Sequence, residues 1–376
     1  SEDCSASYSI YFSKNLSGCS NCFGCINLRN KNYHIFNKPY GKEEYEKRTK
    51  ELSLDKFSSL ADVRKKVYEF WQTHPRKFMH ERHNVNVSGD YVYWSKNAHY
   101  MYQARFVEDG KWGQFVTTGP VKDVYDYTEW GNNAQRIYEC ITVGEGVDNV
   151  RFSYACWKPT VMNVEYSFYV LSSSDIFGCA NIRNKQYCIL NKQYSKEEYE
   201  KIREQIIKDM NERPHKDDQG RIWKYGEFFP YDLSLYDYNE AYVMYYFPLS
   251  KEEALTKGFR WFEKPESQYE ITLKSDELPD SIQDTKDSII NEILECAGCS
   301  KAFRIIKPEL DLLRKFNFPL PRQCPECRNQ ERMSRINPPK LWNRRCAKCE
   351  KDIKTSYAPE RPEMVYCEVC YNNEVI

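Results

Sequence analysis

One stretch of this chain occurs twice. Gly24-Cys-Ile-Asn-Leu-Arg-Asn-Lys-Asn-Tyr-His-Ile-Phe-Asn-Lys-Pro-Tyr40 returns without a gap, 154 positions later, as Gly178-Cys-Ala-Asn-Ile-Arg-Asn-Lys-Gln-Tyr-Cys-Ile-Leu-Asn-Lys-Gln-Tyr194. Each copy runs on into Lys-Glu-Glu-Tyr-Glu-Lys, at 42–47 and 196–201. Ser195 with Glu198 reads as a capping box, and Gly41 with Glu44 is its weaker counterpart, so each copy is expected to end in a helix, over 41–51 and 195–212. A long duplication within one chain points to an architecture assembled from repeated units.

The segment between the copies supports that reading. Short aromatic and β-branched runs recur at Val124, Ile137, Val150, Val164 and Ile176, spaced 13, 13, 14 and 12 residues apart. Turn formers separate them at Gly131-Asn-Asn, Gly144-Glu-Gly-Val-Asp-Asn and Ser172-Ser-Ser-Asp. The fold class is therefore mainly β. An N-terminal β-solenoid, parallel and β-helix-like, is expected over 1–213, with short helical insertions near 41–80 and 195–212 and two strands in each coil of ~26 residues. An antiparallel sandwich is the alternative, though paired Asn-Gly hairpin turns are missing. A small or thiol residue follows four of the five anchors by three positions: Cys140, Ser153, Ser167 and Cys179. A row of like residues stacked inside a narrow coil would produce that register. These cysteines read as core filler, as do Cys4, Cys19, Cys22, Cys25, Cys156 and Cys188. Cys19-x-x-Cys22-x-x-Cys25 is the one place among them where a third metal is conceivable.

Leu52–His83 breaks the strand rhythm. Val63, Val67, Phe70 and Trp71 share one helical face, so an inserted helix is expected there. Residues 214–288 hold 16 Asp+Glu against 9 Lys+Arg and many aromatics, which reads as an acidic connector. Ser250 and Glu253 form another capping box within it.

The last part of the chain carries the chemistry. Cys296, Cys299, Cys324, Cys327, Cys346, Cys349, Cys367 and Cys370 form four C-x-x-C pairs, a spacing that favours metal over disulfides. The first and third pairs read as knuckles, each with an apolar residue after it. The second and fourth sit where a helix begins, and backbone N–H groups there favour thiolate. Pairing a knuckle with the next helix start gives two four-sulfur fingers, 289–335 and 336–376, each holding one structural Zn2+; a cross-braced arrangement is the alternative. Sites closed by four cysteines leave no open position for catalysis. Reduced thiolates place the protein in the cytoplasm. The longest apolar run, Ala241–Leu249, falls short of the ~20 residues of a spanning helix, and the N-terminus has no basic or apolar leader, so no signal peptide is expected.

The joint between the fingers is basic. Arg314, Lys315, Arg322, Arg328, Arg332, Arg335, Lys340, Arg344, Arg345 and Lys348 face only Glu326 and Glu331, within a chain whose 55 Lys+Arg balance 55 Asp+Glu. With Trp342 as a stacking surface, this stretch suits nucleic acid, whereas an intramolecular or protein partner is the rival.

The stretch Glu295–Arg332, with Phe303, Glu309, Pro319-Leu-Pro321 and Cys-x-x-Cys-Arg, resembles a zinc-ribbon family of treble-clef type. Together with the Asn-Leu-Arg-Asn-Lys-x-Tyr block, Phe247-Pro-Leu-Ser-Lys-Glu-Glu-Ala-Leu and the terminal Tyr-Ala-Pro-Glu-Arg-Pro-Glu-Met-Val-Tyr-Cys, most of the chain looks like a group of proteins from uncultured small-genome bacterial lineages. The resemblance implies four-cysteine zinc binding and brings no established activity.

In the duplicated block, Asn27, Arg29, Asn30, Lys31, Tyr33, Asn37, Lys38 and Tyr40 are matched by Asn181, Arg183, Asn184, Lys185, Tyr187, Asn191, Lys192 and Tyr194. Asn ladders and a Tyr-anchored helix at the end of a coil would account for them; a paired ligand site is the other reading. Enzyme signatures are thin: no Gly-rich phosphate loop, G-x-S-x-G elbow or H-E-x-x-H is present, and the six histidines are scattered. The expectation is a non-catalytic protein. A carbohydrate-binding or carbohydrate-cleaving solenoid using Asp123, Asp126, Glu129, Glu139 and Glu165 is a further alternative.

Overall fold

The computed structural model describes residues 1–265 and 269–375. Strands dominate its N-terminal part, in a four-stranded and a thirteen-stranded sheet. In the larger sheet Val85–Tyr93, Lys96–Arg105, Val107–Gln114, Val121–Gly131, Ala134–Gly144 and Asp148–Trp157 each pair in parallel with the next strand in the chain. Beyond Trp157 the sheet divides into two columns: Met162–Glu165, Ser174–Phe177 and Gln186–Ile189 in one, Phe168–Leu171 and Ala180–Arg183 in the other.

The register explains the 13-residue rhythm and corrects one expectation. Val124 lies opposite Ile137, Ile137 opposite Val150, Val150 opposite Val164, and Val164 opposite Ile176. Successive runs are therefore direct neighbours, and the chain returns to the same place once per interval rather than once per two. The 26-residue coil with two strands is not what forms. An antiparallel sandwich does not form either.

A three-residue period makes so short a return possible. Ordinary strands alternate faces every two residues. Here Val121, Val124 and Tyr127, then Ala134, Ile137, Cys140 and Val143, all point inward. The residue before many inward positions has positive φ: Asp123, Asp126, Arg136, Glu139 and Thr142 all lie between +48° and +55°. The same pattern runs through Asn15, Asn21, Asn27 and Asn30 in the smaller sheet. Left-handed backbone costs an ordinary residue roughly 1–2 kcal/mol, and Asn and Asp tolerate it best. Burial of the inward row opposes that cost, at ~1.5–3 kcal/mol for each fully buried Val or Ile. The small row sits inside as its spacing suggests: Ser153 Oγ accepts from the Ser167 amide and Ser167 Oγ from the Cys179 amide, both at 3.1 Å.

Both copies of the duplicated block end a stack. In each, the last parallel strand turns back into a short antiparallel one, with Ile35 paired to Lys38 and Ile189 to Lys192. Asn37 clamps the exposed edge, taking the Ile26 amide (2.9 Å) and donating to the Ile26 carbonyl (3.0 Å). Asn191 does the same to Ala180, at 2.8 and 2.9 Å. Gly24 and Gly178, at φ +65° and +63°, lie beneath Phe36 and Leu190, where an added Cβ would meet those side chains. Helices Lys42–Glu51 and Lys196–Glu212 follow, each burying one tyrosine, Tyr45 and Tyr199. Ser195 and Glu198 form the expected box; Gly41, without a side chain, caps nothing.

The inserted helix is Phe57–Gln72, and it buries Val63, Val67 and Trp71, with Phe70 half-buried, against Phe23, Ile26 and Tyr45. Among the described residues no helix is long and apolar enough to cross a membrane.

Candidate metal centres and a basic cleft

Each finger is built from a hairpin and a helix. Leu294–Glu295 pairs with Ala302–Phe303, and Trp342–Arg345 with Asp352–Thr355. At each hairpin tip the amide after the strand returns to the chain, Cys296 N to Lys301 O (3.0 Å) and Cys346 N to Lys351 O (2.8 Å). The other two cysteines of each set come from a helix start: Cys324 and Cys367 immediately precede helices Pro325–Met333 and Glu368–Val375, and Cys327 and Cys370 lie in their first turns. Cys324 is the N-cap of its helix, and its sulfur accepts the Cys327 amide at 3.4 Å.

These elements bring Cys296, Cys299, Cys324 and Cys327 together, and separately Cys346, Cys349, Cys367 and Cys370, with the sulfurs of each set within 4.8 Å of one another. The pairing is sequential, so the cross-braced alternative is not adopted. The surroundings suit a metal. Burial disfavours the charged form of Cys296, yet amides of Cys324, Gly298 and Cys299 bring its pKa down to about 6. In the second finger, burial at Cys346 is outweighed in the same way by the Cys367, Cys349 and Lys348 amides, again to about 6. Four convergent sulfurs with amide-stabilised thiolate fit a tetrahedral ion, which would contribute folding energy and leave no open coordination position.

Cys19, Cys22 and Cys25 form no such cluster among the described residues. They lie within the smaller stack beside Leu16, and their thiols point to backbone carbonyls, Cys25 to Phe23 O and His34 O at 3.4 Å each.

The fingers are packed into the molecule rather than strung from it. The core of the first extends back to Leu278 and Ile282, with Leu273 packed against it, so residues assigned to the connector belong to it. It reaches the inserted helix through Phe57 N to Asp280 O (2.8 Å) and Ser281 Oγ to Asp55 Oδ2 (2.8 Å). In the second, Val365–Tyr366 pairs in parallel with Arg76–Lys77. Thr355 Oγ1 donates to Phe78 O at 2.7 Å, and Tyr371 Oη to Asn27 Oδ1 at 3.1 Å.

Much of the basic joint is used internally. Arg314 bonds Asp287 and Thr285 O; Arg322 bonds the Leu278 and Pro279 carbonyls at 2.9 Å each and lies over Phe57. Arg328 pairs with Glu309 (2.8 Å), Arg335 with Glu331 (2.6 Å) and Lys348 with Glu374 (2.5 Å). Arg344 donates to the Ala358 and Glu363 carbonyls at 3.2 Å. Lys315, Arg332, Lys340 and Arg345 are exposed; Lys340 lies 5.2 Å from the Trp342 ring, and Arg345 reaches Asp352 only at 3.8 Å.

Of the candidate carboxylates, Glu165 is buried and held by Arg203 (2.7 Å) and Tyr225 (2.7 Å), a structural setting. Glu129 accepts from Thr142. Burial pushes the Asp126 and Glu139 carboxyls up, and for Glu139 the neighbouring Asp126 and Glu227 add to this.

Sequence reasoning missed a cleft of about 700 Å3, formed where the smaller stack, the 76–82 segment, the large sheet and the last helix meet. At its wall His80 Nδ1 meets Asp90 Oδ1 at 2.9 Å, Ser356 Oγ donates to Asp90 Oδ2, and the His80 ring stacks on Tyr91 at 4.2 Å. Burial opposes the imidazolium, but Asp90 raises its pKa; burial likewise opposes the Asp90 carboxylate, which His80 and Ser356 hold below the usual range. No local motif could have revealed this site, because its residues come from positions 3 to 372.

No protein-family model, curated protein or solved structure matches the chain.

Proposed function

We propose that this is a zinc-stabilised, non-catalytic nucleic-acid-binding protein of the cytoplasm, in which the stacked parallel strands are a β-solenoid and the two fingers are zinc ribbons of treble-clef type, each holding one Zn2+. The observation that carries the nucleic-acid reading is the division among the joint's cations. Several are tied closely to carboxylates or carbonyls, whereas Lys315 and Lys340 are exposed with no ion-pair partner among the described residues, and the exposed Arg332 and Arg345 make only long contacts, to Asn329 (3.4 Å) and Asp352 (3.8 Å), with Trp342 beneath Lys340. Phosphate contacts need accessible charge, and a nearby ring offers a surface for a base.

The test is filter binding of the zinc-loaded full chain to RNA and DNA across a salt series. The affinity is expected to fall linearly on log–log axes, and the Lys340→Ala/Arg345→Ala double variant to lose about two contacts, or a slope change of about 1.8, while elemental analysis still finds both metal ions. Absence of binding at low salt removes the reading.

A protein-interaction scaffold is the second reading, favoured by the connector's exposed apolar side chains. Leu233, Leu235, Tyr236 and Tyr242 are each about 60% exposed or more, in an acidic stretch that would suit a basic partner.

A further inference from the structure

The cleft has features of a ligand site that nothing in the joint or the fingers accounts for. Its size is that of a small-molecule pocket, and Lys14, Arg29, Arg76, Lys77, Arg82 and Arg105 line it against Asp3 and Glu81. Half of those cations are already engaged: Lys14 is held by Glu2 (2.8 Å), Lys77 by Glu368 (3.0 Å), and Arg76 is buried against the His74 carbonyl (3.2 Å). The others differ. Arg29 has neutral partners, the oxygens of Asn15 and Leu28 and the Tyr371 hydroxyl. Among the described residues, Arg82 and Arg105 have no carboxylate within ion-pair distance, and both side chains are exposed.

The fold places these two arginines in a set relation. Arg82 lies opposite Tyr93, and Tyr93 opposite Arg105, in adjacent parallel strands. Strand spacing then puts the two Arg Cα atoms roughly 10 Å apart, with the Tyr93 ring between and the Arg105 guanidinium 5.5 Å from its centroid. Two guanidinium forks at that separation can close on the oxygens of one phosphate group or of a diphosphate. Beside them Trp94 is 43% exposed at the cleft mouth; His83 (5.9 Å) and Phe106 (5.3 Å) stack on its two faces, so it offers the cleft an edge rather than a face.

We propose that this cleft binds a nucleoside phosphate, its phosphate held by Arg82 and Arg105 with Arg29 across the cleft, and its base resting against the exposed edge of Trp94. The shared chemistry admits two sources, a free nucleotide or the phosphorylated end of a strand. The site is distinct from the exposed cations of the finger joint and goes beyond the function proposed above.

Calorimetric titration of the zinc-loaded full chain with inorganic phosphate, AMP and a short 5′-phosphorylated oligonucleotide tests it. AMP or the 5′-phosphorylated strand is expected to bind, more tightly than inorganic phosphate, and Arg82→Ala/Arg105→Ala to weaken that binding about tenfold or more. The two arginines are exposed and lack carboxylate partners, so the variant should keep its fold, checked by circular dichroism; Arg105→Glu alone is a second variant with the same expected direction. Lys340→Ala/Arg345→Ala should leave AMP binding unchanged. AMP binding without preference for the strand identifies a free nucleotide, and the reverse identifies a strand end. Failure of every probe to bind at low salt, or binding equal in wild type and both arginine variants, overturns the proposal. Loss confined to the Lys340/Arg345 variant overturns it too, while supporting the joint as the nucleic-acid site.

Discussion

The two fingers have the same ligand set in the same hairpin-then-helix order, yet they depend on the rest of the chain differently. The first encloses its own core, with Leu278, Ile282, Ile289, Leu294, Ile305, Leu310 and Leu320 buried around Cys296 and Cys324. The second has a smaller core, Ile353, Tyr357 and Val365 with Cys346 and Cys367, takes Phe78 from outside, and turns its remaining buried ring, Tyr371, toward Asn15 and Asn27 of the smaller stack. It compensates by pairing a strand with Arg76–Lys77 and sending Ser356 to Asp90. A metal site with few apolar residues of its own must borrow structure, and the loan runs both ways: the 76–82 segment and one wall of the cleft are ordered by the second finger. A four-cysteine cluster can thus act as a local staple or as a joint in the larger architecture, and the size of its own core distinguishes the two roles.

The sharpest way to break that comparison is to remove one ion at a time. A structural zinc contributes on the order of 10 kcal/mol to the fold it organises, so Cys296→Ser and Cys346→Ser should each reduce the metal content from two ions to one. Hydrogen exchange should separate them. Cys346→Ser is expected to abolish protection of the Arg76 and Phe78 amides, which donate to Met364 and Tyr366, whereas Cys296→Ser leaves them protected. Equal exchange in the two variants would mean that the second finger is not a joint.

A smaller effect is expected at Asp90, where the second finger meets the sheet. Its carboxylate is buried and accepts from both His80 and Ser356. Asp90→Asn leaves His80 facing an uncharged partner and should cost about 3 kcal/mol, the lower end for a broken buried pair, read from urea unfolding. A loss under 1 kcal/mol would show that the contact adds little to the docking.

The pH dependence of unfolding refines the same point with the smallest change. The raised His80 pKa adds stability that is complete below the unfolded histidine value of 6.5 and disappears as pH rises through the folded value. The lowered Asp90 pKa adds stability present above 3.8 and lost as pH falls through its folded value. Asp3 and Lys14 also face the imidazole, in opposite senses. Wild type should therefore exceed Asp90→Asn most in the weakly acidic range and converge with it on either side; a constant difference through the histidine range would exclude the ion pair.

Much of this architecture was legible in the residues. The anchors at Val124, Ile137 and Val150 marked true neighbours because parallel strands repeated along one chain must return apolar side chains to a common interior. The C-x-x-C spacings identified all eight sulfurs, since two thiols three residues apart at a turn can face one ion without help from distant contacts. The coil length was misjudged. The missing signal was the triplet of Asn and Asp, as at Asn15, Asn21 and Asn27, or Asp123 and Asp126, which marks left-handed corners and hence a three-residue rather than two-residue period. The duplicated Asn37 and Asn191 proved to be edge clamps. Asn27 and Arg29 meanwhile turn toward the second finger and the cleft, while their counterparts Asn181 and Arg183 face solvent.

The order of the parts, the repeat and the identity of the eight sulfurs came from the sequence alone, because each depends on spacing along the chain. Which arginines remain in solvent, how the second finger joins the sheet and where the cleft opens were decided by tertiary structure. Those features arise when Asp3, Arg29, His80, Arg105 and Tyr371 are brought to one place, and no interval between neighbouring residues encodes that meeting.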